Sequence, residues 1–80
     1  MTRGIEGAGA VWHSGPPPHV GWWPASRNRY LRSLRWWNGA AWSDAAYPEH
    51  TAVAAARWAA FTAYRQGSIE WRDRPKDWPR

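Results

Sequence analysis

An Asn-Gly pair at positions 38 and 39 lies between two aromatic segments, residues 34–37 and 40–43. Asn-Gly between two apolar segments is the strongest short-range signal for a β-hairpin. Both residues tolerate positive φ, so a tight turn here carries little strain. The chain is therefore predicted to reverse direction at this pair, with a strand on either side.

The register of this hairpin decides which side chains form the core. In a two-residue type I′ turn Trp37 lies opposite Ala40, whereas in a three-residue turn with a left-handed bulge at Gly39 the partner of Ala40 is Trp36. A slip of one residue exchanges the faces of one strand relative to the other. We prefer the bulged register because it separates the two faces more cleanly. It assigns Leu34, Trp36 and Trp42 to the core, and Arg35 and Trp37 to water or a partner.

Tryptophan must supply most of the core of this chain. The 80 residues make one domain at most, and they include no cysteine and nine tryptophans. A chain this short is marginally stable without help, and disulfides and thiolate metal sites are excluded. Since each large aromatic side chain buries roughly 150–250 Å², a few shared tryptophans replace a larger aliphatic core.

The charge balance favours anionic partners. The formal net charge is +5 and the isoelectric point is about 10.8, which is compatible with nucleic acid, acidic proteins or membrane headgroups. No apolar run approaches the ~18 residues of a membrane-spanning helix. The N-terminus lacks the hydrophobic region of a signal peptide, so we expect a cytoplasmic protein with no membrane span.

The order of segments predicts an α+β fold. Residues 1–19 read as a flexible Gly/Pro-rich leader, and residues 20–80 as a single Trp-rich domain. Strands are predicted at about 20–23, 30–37 and 40–43, a helix at about 48–66, and an extended tail at 68–80. The expected architecture is a three-stranded antiparallel meander packed against one C-terminal Ala-rich helix. Pro24 is expected to end the first strand, since it cannot donate to a ladder.

The leader contains the run Pro16-Pro17-Pro18, which favours a polyproline II conformation. It is read as a stiff lead-in rather than a ligand for a Pro-recognising domain, because no PxxP spacing with a flanking arginine is present. A third possibility is that Trp12 and the prolines pack over a tryptophan of the same chain. The tail is expected to be held against the domain by Trp71 and Trp78.

The predicted helix has clear boundary signals. Pro48 suits its first turn, Glu49 complements the positive end of its dipole, and Gly67 suits the position after its end. Alanine, the best helix former, recurs throughout. At helical spacing the stripe expected to pack on the sheet comprises Val53, Ala60, Phe61 and Tyr64. The remaining small-residue face permits close approach of another helix, which hints at a homodimer or a partner protein.

Arginine and tryptophan alternate around the first two strands. The cluster comprises Arg27, Arg29, Arg32 and Arg35, with Trp22, Trp23 and Trp37 nearby. This composition is typical of a stacking platform for single-stranded nucleic acid. It is equally typical of a surface held together by cation–π contacts, and we favour that structural interpretation.

No catalytic constellation is recognisable in the sequence. His13 and His19 lie in the leader, and His50 lies in the first helical turn, where a capping or surface role is expected. Nucleophilic cysteines, Gly-rich phosphate loops and paired carboxylates are lacking. The scattered histidines do not assign a metal. The sequence therefore predicts a non-enzymatic protein without a cofactor.

The run Gly21-Trp22-Trp23-Pro24, followed by the aromatic hairpin, resembles a short Trp-rich domain of unknown function. That domain is common in actinobacterial, frequently membrane-associated proteins. Its hairpin motif is matched by Arg35, Trp36, Trp37, Gly39, Trp42 and Ser43. The first motif departs from the pattern, since Pro24-Ala25-Ser26 stands where Asp-Pro is typical. The resemblance covers residues 21–43 and implies a small interaction module rather than an activity.

Three functions are consistent with these features. The first is a protein-interaction module that binds a peptide or host protein, because tryptophan and arginine dominate binding hot spots. Its expected surface comprises Trp22, Trp23, Arg35 and Trp37, and its small size is typical of phage or prophage proteins. The alternative is nucleic-acid binding through Arg27, Arg29, Arg32 and Arg35. A structural or assembly protein is the second alternative.

Overall fold

A computed structural model describes residues 11–30, 32–76 and 78. Within these residues the elements are β1 (Gly21–Ser26), β2 (Leu34–Trp37), α1 (Ala52–Ala59), a 3-10 turn (Gln66–Ser68) and β3 (Glu70–Trp71). The strands form one antiparallel sheet in the order β2-β1-β3. The predicted α+β class, a three-stranded antiparallel sheet with one helix, is confirmed.

The central strand β1 runs through Pro24, so the expectation that it ends there is wrong. Pro24 lies opposite Leu34 of β2. The N–H and C=O of Leu34 are both taken by Ala46 on the other side of β2, at 2.9 and 2.8 Å. The Pro24–Leu34 pair is thus a non-hydrogen-bonded pair of the ladder, where a missing N–H costs nothing. β1 continues to Ser26, and β2 is correspondingly shorter than predicted.

The chain reverses at Asn38-Gly39 as predicted, but in neither of the two expected registers. The Asn38 carboxamide oxygen accepts hydrogen bonds from the amides of Ala40 and Ala41, both at 2.8 Å. This side chain extends the turn to four residues, with Gly39 at φ 99°. Trp37 consequently pairs with Trp42, and their ring centroids are 5.1 Å apart.

After the turn the chain follows the outer edge of β2 as a broken edge segment, not as the predicted third strand. It bridges β2 at Trp37–Trp42 and again at Leu34–Ala46, which shifts the register by one residue. The extra residue is a β-bulge. At the bulge the Ser43 hydroxyl accepts from the Trp36 amide at 2.8 Å. The third strand is instead β3, on the opposite side of β1.

Helix α1 spans Ala52–Ala59, shorter than the predicted 48–66. Thr51 caps its start, where its side chain accepts from the Ala54 amide at 3.2 Å. The helix ends because the following residues pair with the turn segment. The Ala63 amide donates to the Trp42 carbonyl at 2.8 Å, and Thr62 bridges Ser43.

The stripe of α1 that was predicted to pack on the sheet lies in solvent. Val53 is 75% exposed and Tyr64 is 78% exposed, and Phe61 is exposed as well. No residue of α1 is buried. The side of the helix that faces the sheet is instead formed by Ala52, Ala55, Ala56 and Ala59.

The core consists largely of tryptophan, as predicted, but on the other face of the sheet. Its members are Trp23, Ala25, Trp42, Ala63, Ile69 and Trp71, with Trp37 packed against them. The rings of Trp23 and Trp71 meet edge to face at 5.1 Å. Trp36, predicted to be core, is half-buried on the opposite face with Trp22. The longer turn causes this difference, because it places Trp37 rather than Trp36 beside Trp42.

The segment from residue 11 to 19 contacts the domain, which corrects the expectation of a flexible leader for those residues. His13 exchanges two main-chain hydrogen bonds with Trp71, at 2.7 and 3.0 Å. The Trp71 indole donates to the Gly15 carbonyl at 2.9 Å. Pro17 is buried, so the prolines pack on their own chain. Residues 1–10 of the predicted leader lie outside the described residues.

The tail is held against β1, as predicted. The Trp78 indole donates to the Trp22 carbonyl at 3.0 Å, and the Arg74 Nε donates to the same oxygen at 2.9 Å. The Arg74 guanidinium lies 4.0 Å from the centre of the Trp23 ring. A cation–π contact therefore joins the tail to the core.

Candidate binding sites

The predicted tryptophan and arginine surface does not exist as one exposed patch. Trp23 is 4% exposed and belongs to the core, and Arg35 is 8% exposed. Trp37 is half-buried against the same core. Trp22 lies on the opposite face of the sheet, because adjacent strand residues point to opposite sides. Of these four residues, only Trp22 borders the open groove described below.

The predicted row of arginines is divided among different partners. Arg29 forms a two-pronged salt bridge with Glu70, at 2.8 and 3.3 Å, and Arg32 pairs with Glu49. The hydrogen bond from Arg29 lowers the pKa of Glu70 below its ordinary value and raises the pKa of Arg29. Arg27 is exposed, whereas Arg35 is buried. These four side chains therefore do not form a continuous basic track for a nucleic-acid backbone.

Arg35 has an unusual environment for a charged side chain. One of its terminal nitrogens donates to the Ser43 carbonyl at the β-bulge, at 2.9 Å. Its Nε is buried and has no hydrogen-bond partner among the described residues. Burial lowers the pKa of Arg35 below its ordinary value. The guanidinium nevertheless remains charged, because arginine does not deprotonate in proteins.

An apolar groove of about 540 Å³ separates α1 from the sheet. We call it the aromatic groove. Its floor is the sheet face with Trp22, Leu34 and Trp36, and one wall is the alanine face of α1. The segment before α1 closes one side with Tyr47, Pro48 and His50. The volume lies within the range of about 300–1,000 Å³ typical of ligand pockets.

Local sequence explains why the aromatic groove stays open. Trp22 and Trp36 are cross-strand partners, and their rings meet edge to face at 5.4 Å. They form a raised floor opposite methyl groups only, because the facing side of α1 carries alanines. The His50 Nδ1 accepts from the Tyr47 amide at 3.1 Å, which fixes the entry into the helix. Short side chains on the helix cannot fill the space above the indoles.

The sequence gave a partial signal for this groove. The small-residue face of the Ala-rich segment was interpreted as a surface for close approach of another helix, and that face does border the groove. Tyr47, Pro48 and His50 were not predicted as site residues. Their position depends on the bridge between Leu34 and Ala46, which no local pattern specifies.

Metal and membrane sites can be assessed for the described residues only. No group of three or more His, Asp or Glu side chains there could hold a metal ion. Among the same residues, no helix has the length and apolar character needed to cross a bilayer.

The chain matches no family model, no curated protein and no solved structure. The resemblance of residues 21–43 to a Trp-rich domain therefore stays a prediction. The functional argument depends on the geometry of the sites.

Proposed function

We propose that this protein is an interaction module that binds a short peptide segment of a partner protein in the aromatic groove. The observation that carries this proposal is the gap of about 540 Å³ between the indoles of the sheet and the alanines of α1. The half-buried residues Trp22 and Trp36 line this gap. Partly exposed tryptophans in a concave apolar site are typical of binding hot spots.

The chemistry of the groove defines its occupant. Indole, phenol and methyl groups dominate the lining, so the groove suits the apolar side chains of a peptide, such as leucine or phenylalanine. The chain carries a net charge of +5, which favours acidic residues on either side of the apolar anchor. The proposed ligand is therefore an apolar peptide motif with acidic flanks.

This proposal keeps the predicted kind of function but changes the surface. Trp22 remains a binding residue, and Trp36 joins it. Trp23, Arg35 and Trp37 leave the set because they pack in or against the core. A Trp37→Ala variant is thus expected to lower stability rather than to remove partner binding alone.

The test is peptide selection followed by calorimetry. A displayed library of random peptides is selected on the full chain, and the selected sequences are synthesised. We expect apolar motifs with acidic flanks that bind the protein in isothermal titration. The Ala56→Trp variant places an indole inside the groove and is expected to abolish this binding.

Val53→Trp is the matched control, because it adds the same indole to α1 on a side that is 75% exposed and does not line the groove. Neither substitution removes a buried side chain, so both variants are expected to keep the thermal midpoint of the parent. Equal peptide affinity in the two variants would place the binding surface elsewhere, as would a selection that yields no binder.

A further inference from the structure

A second cavity, of about 400 Å³, lies at the end of the sheet where the β1–β2 loop meets the segment before β3. We call it the arginine pocket. Its lining is polar, with three arginines (Arg27, Arg35 and Arg65) together with serines, Asn28 and two tyrosines. No carboxylate is among the residues that line it. The pocket shares only Tyr47 with the aromatic groove.

The three arginines come from three separate parts of the chain. Arg27 lies in the β1–β2 loop, Arg35 lies in β2, and Arg65 precedes the 3-10 turn. The charge of Arg27 acts on Arg35 and contributes to its lowered pKa, so the two guanidinium groups repel each other. The charge of Asp44 partly offsets this repulsion, but Asp44 does not line the pocket. The fold therefore concentrates positive charge here without neutralising it inside the cavity.

Arg35 is the clearest sign that this arrangement serves a ligand. It is more than nine-tenths buried and its Nε has no partner. A buried charged group with an unsatisfied donor is destabilising, and an apolar residue of similar volume often replaces a buried charge without loss of stability. Packing alone does not explain an arginine at this position. An anion in the pocket would supply the missing counter-charge.

The backbone of Arg65 adds an independent observation. It adopts φ 55° and ψ 59°, the left-handed region that arginine rarely occupies. The Ser68 hydroxyl and amide both bond to the Arg65 carbonyl, at 2.9 and 3.1 Å, and hold this conformation. Strained residues of this kind cluster at ligand sites. Here the strain accompanies a side chain on the wall of the pocket.

From these observations we infer that the arginine pocket binds a phosphate group, as inorganic phosphate or as a small phosphate monoester. Arginine recognises phosphate oxygens through paired N–H donors. A phosphate carries about −1.5 to −2 charges near neutral pH, which suits three converging guanidinium groups better than the single charge of a carboxylate. The serine hydroxyls and the Asn28 amide offer additional polar contacts.

The test is titration of the full chain with inorganic phosphate and with glucose 6-phosphate at low ionic strength, followed by calorimetry and by NMR of the arginine Nε–H signals. We expect saturable binding with a shift of the Arg35 Nε–H resonance. Tighter binding of the ester would identify a phosphorylated small molecule as the ligand. Equal affinity would identify free phosphate, and both results support the proposal.

Charge-removal variants separate the pocket from general basicity. Arg27→Ala and Arg65→Gly are each expected to weaken phosphate binding about tenfold or more. The matched control is Arg57→Ala, which removes an exposed charge from α1 outside the pocket and is expected to change affinity less than about twofold. Loss of binding in the control equal to that in Arg27→Ala would overturn the proposal, as would the absence of saturation at millimolar phosphate.

Arg35→Met provides a readout that a purely structural role would not produce. It is expected to abolish phosphate binding while the thermal midpoint stays unchanged or rises, because it removes an unsatisfied buried charge. A folded Arg35→Met protein that binds phosphate normally would contradict the assignment. If this variant fails to fold, Arg27→Ala and Arg65→Gly still decide the question, since both side chains are exposed.

Discussion

The side chain of Gln66 occupies both main-chain groups of Trp42. Its carboxamide oxygen accepts from the Trp42 amide at 2.6 Å, and its nitrogen donates to the Trp42 carbonyl at 2.7 Å. The same nitrogen donates to the Ala63 carbonyl at 2.8 Å. One glutamine side chain thus substitutes for a neighbouring strand at the edge of the core.

Gln66→Ala is expected to destabilise the protein by about 1–3 kcal/mol, because it leaves the amide of the buried residue Trp42 without an acceptor. Urea denaturation followed by circular dichroism measures the loss. Gln66→Glu keeps the acceptor and removes the donor, so its loss should be smaller. An unchanged unfolding free energy in Gln66→Ala would show that water replaces the glutamine at no cost.

Trp71→Ala is expected to unfold the chain. Trp71 packs against Trp23 in the core and also pairs with His13. Removal of a buried tryptophan costs about 3–5 kcal/mol, a large part of the stability of a domain this small. Dispersion of the amide signals in a two-dimensional NMR spectrum reports the outcome. Trp58→Ala is the comparison, since Trp58 is half-buried outside the core cluster, and it should stay folded.

Gly21→Ala is expected to destabilise the protein by about 1–2 kcal/mol or more. Gly21 has φ 140°, and an added Cβ would lie 2.6 Å from a terminal nitrogen of Arg74. Gly67→Ala is the matched control, because a Cβ there meets nothing within 4 Å. Thermal unfolding of the two variants should differ in sign, with Gly67→Ala neutral or slightly stabilising. Equal midpoints would contradict the assigned conformation of Gly21.

The Arg29–Glu70 salt bridge predicts a pH dependence. Because Arg29 holds the pKa of Glu70 below its ordinary value of 4.5, the folded state binds this proton less readily than the unfolded state. The pair therefore stabilises the fold above the unfolded pKa, and that contribution is lost as the pH falls through the lower folded pKa. NMR titration of the Glu70 carboxyl carbon measures the shift.

Glu70→Gln tests the same linkage through stability. Its unfolding free energy should show less acid dependence than that of the parent across the pH range just below 4.5. The difference should shrink in high salt, because both partners are solvent-accessible. An identical acid profile in the variant and the parent would show that the salt bridge does not form in solution.

Local patterns predicted the features that depend on near neighbours. The reversal at Asn38-Gly39, the helix over the alanine run and the reliance on tryptophan for the core all follow from residues close in sequence. The register at the turn did not follow, because the Asn38 side chain adds two hydrogen bonds that lengthen the loop. That one difference moved Trp36 out of the core and Trp37 toward it.

Features set by distant pairing were beyond such patterns. The end of α1 is fixed by the bonds that Ala63 and Gln66 make to Trp42, more than twenty residues earlier in the chain. Helix propensity through Ala63 loses to these contacts, as tertiary context often overrides it. The burial of Arg35 depends likewise on the carbonyl of Ser43 at the bulge. An alternating strand pattern only placed Arg35 opposite Trp36.

Both long sides of the sheet are occupied by irregular chain from the same molecule. Ala46 takes the free N–H and C=O of Leu34 on the β2 side, and His13 takes those of Trp71 on the β3 side. Unprotected borders of small sheets template the stacking of further molecules, which leads to filaments and aggregates. At these two positions the backbone offers no docking rail to an incoming strand. A tryptophan-rich protein with only 80 residues thereby gains protection against self-association without placing a charge at either pairing position.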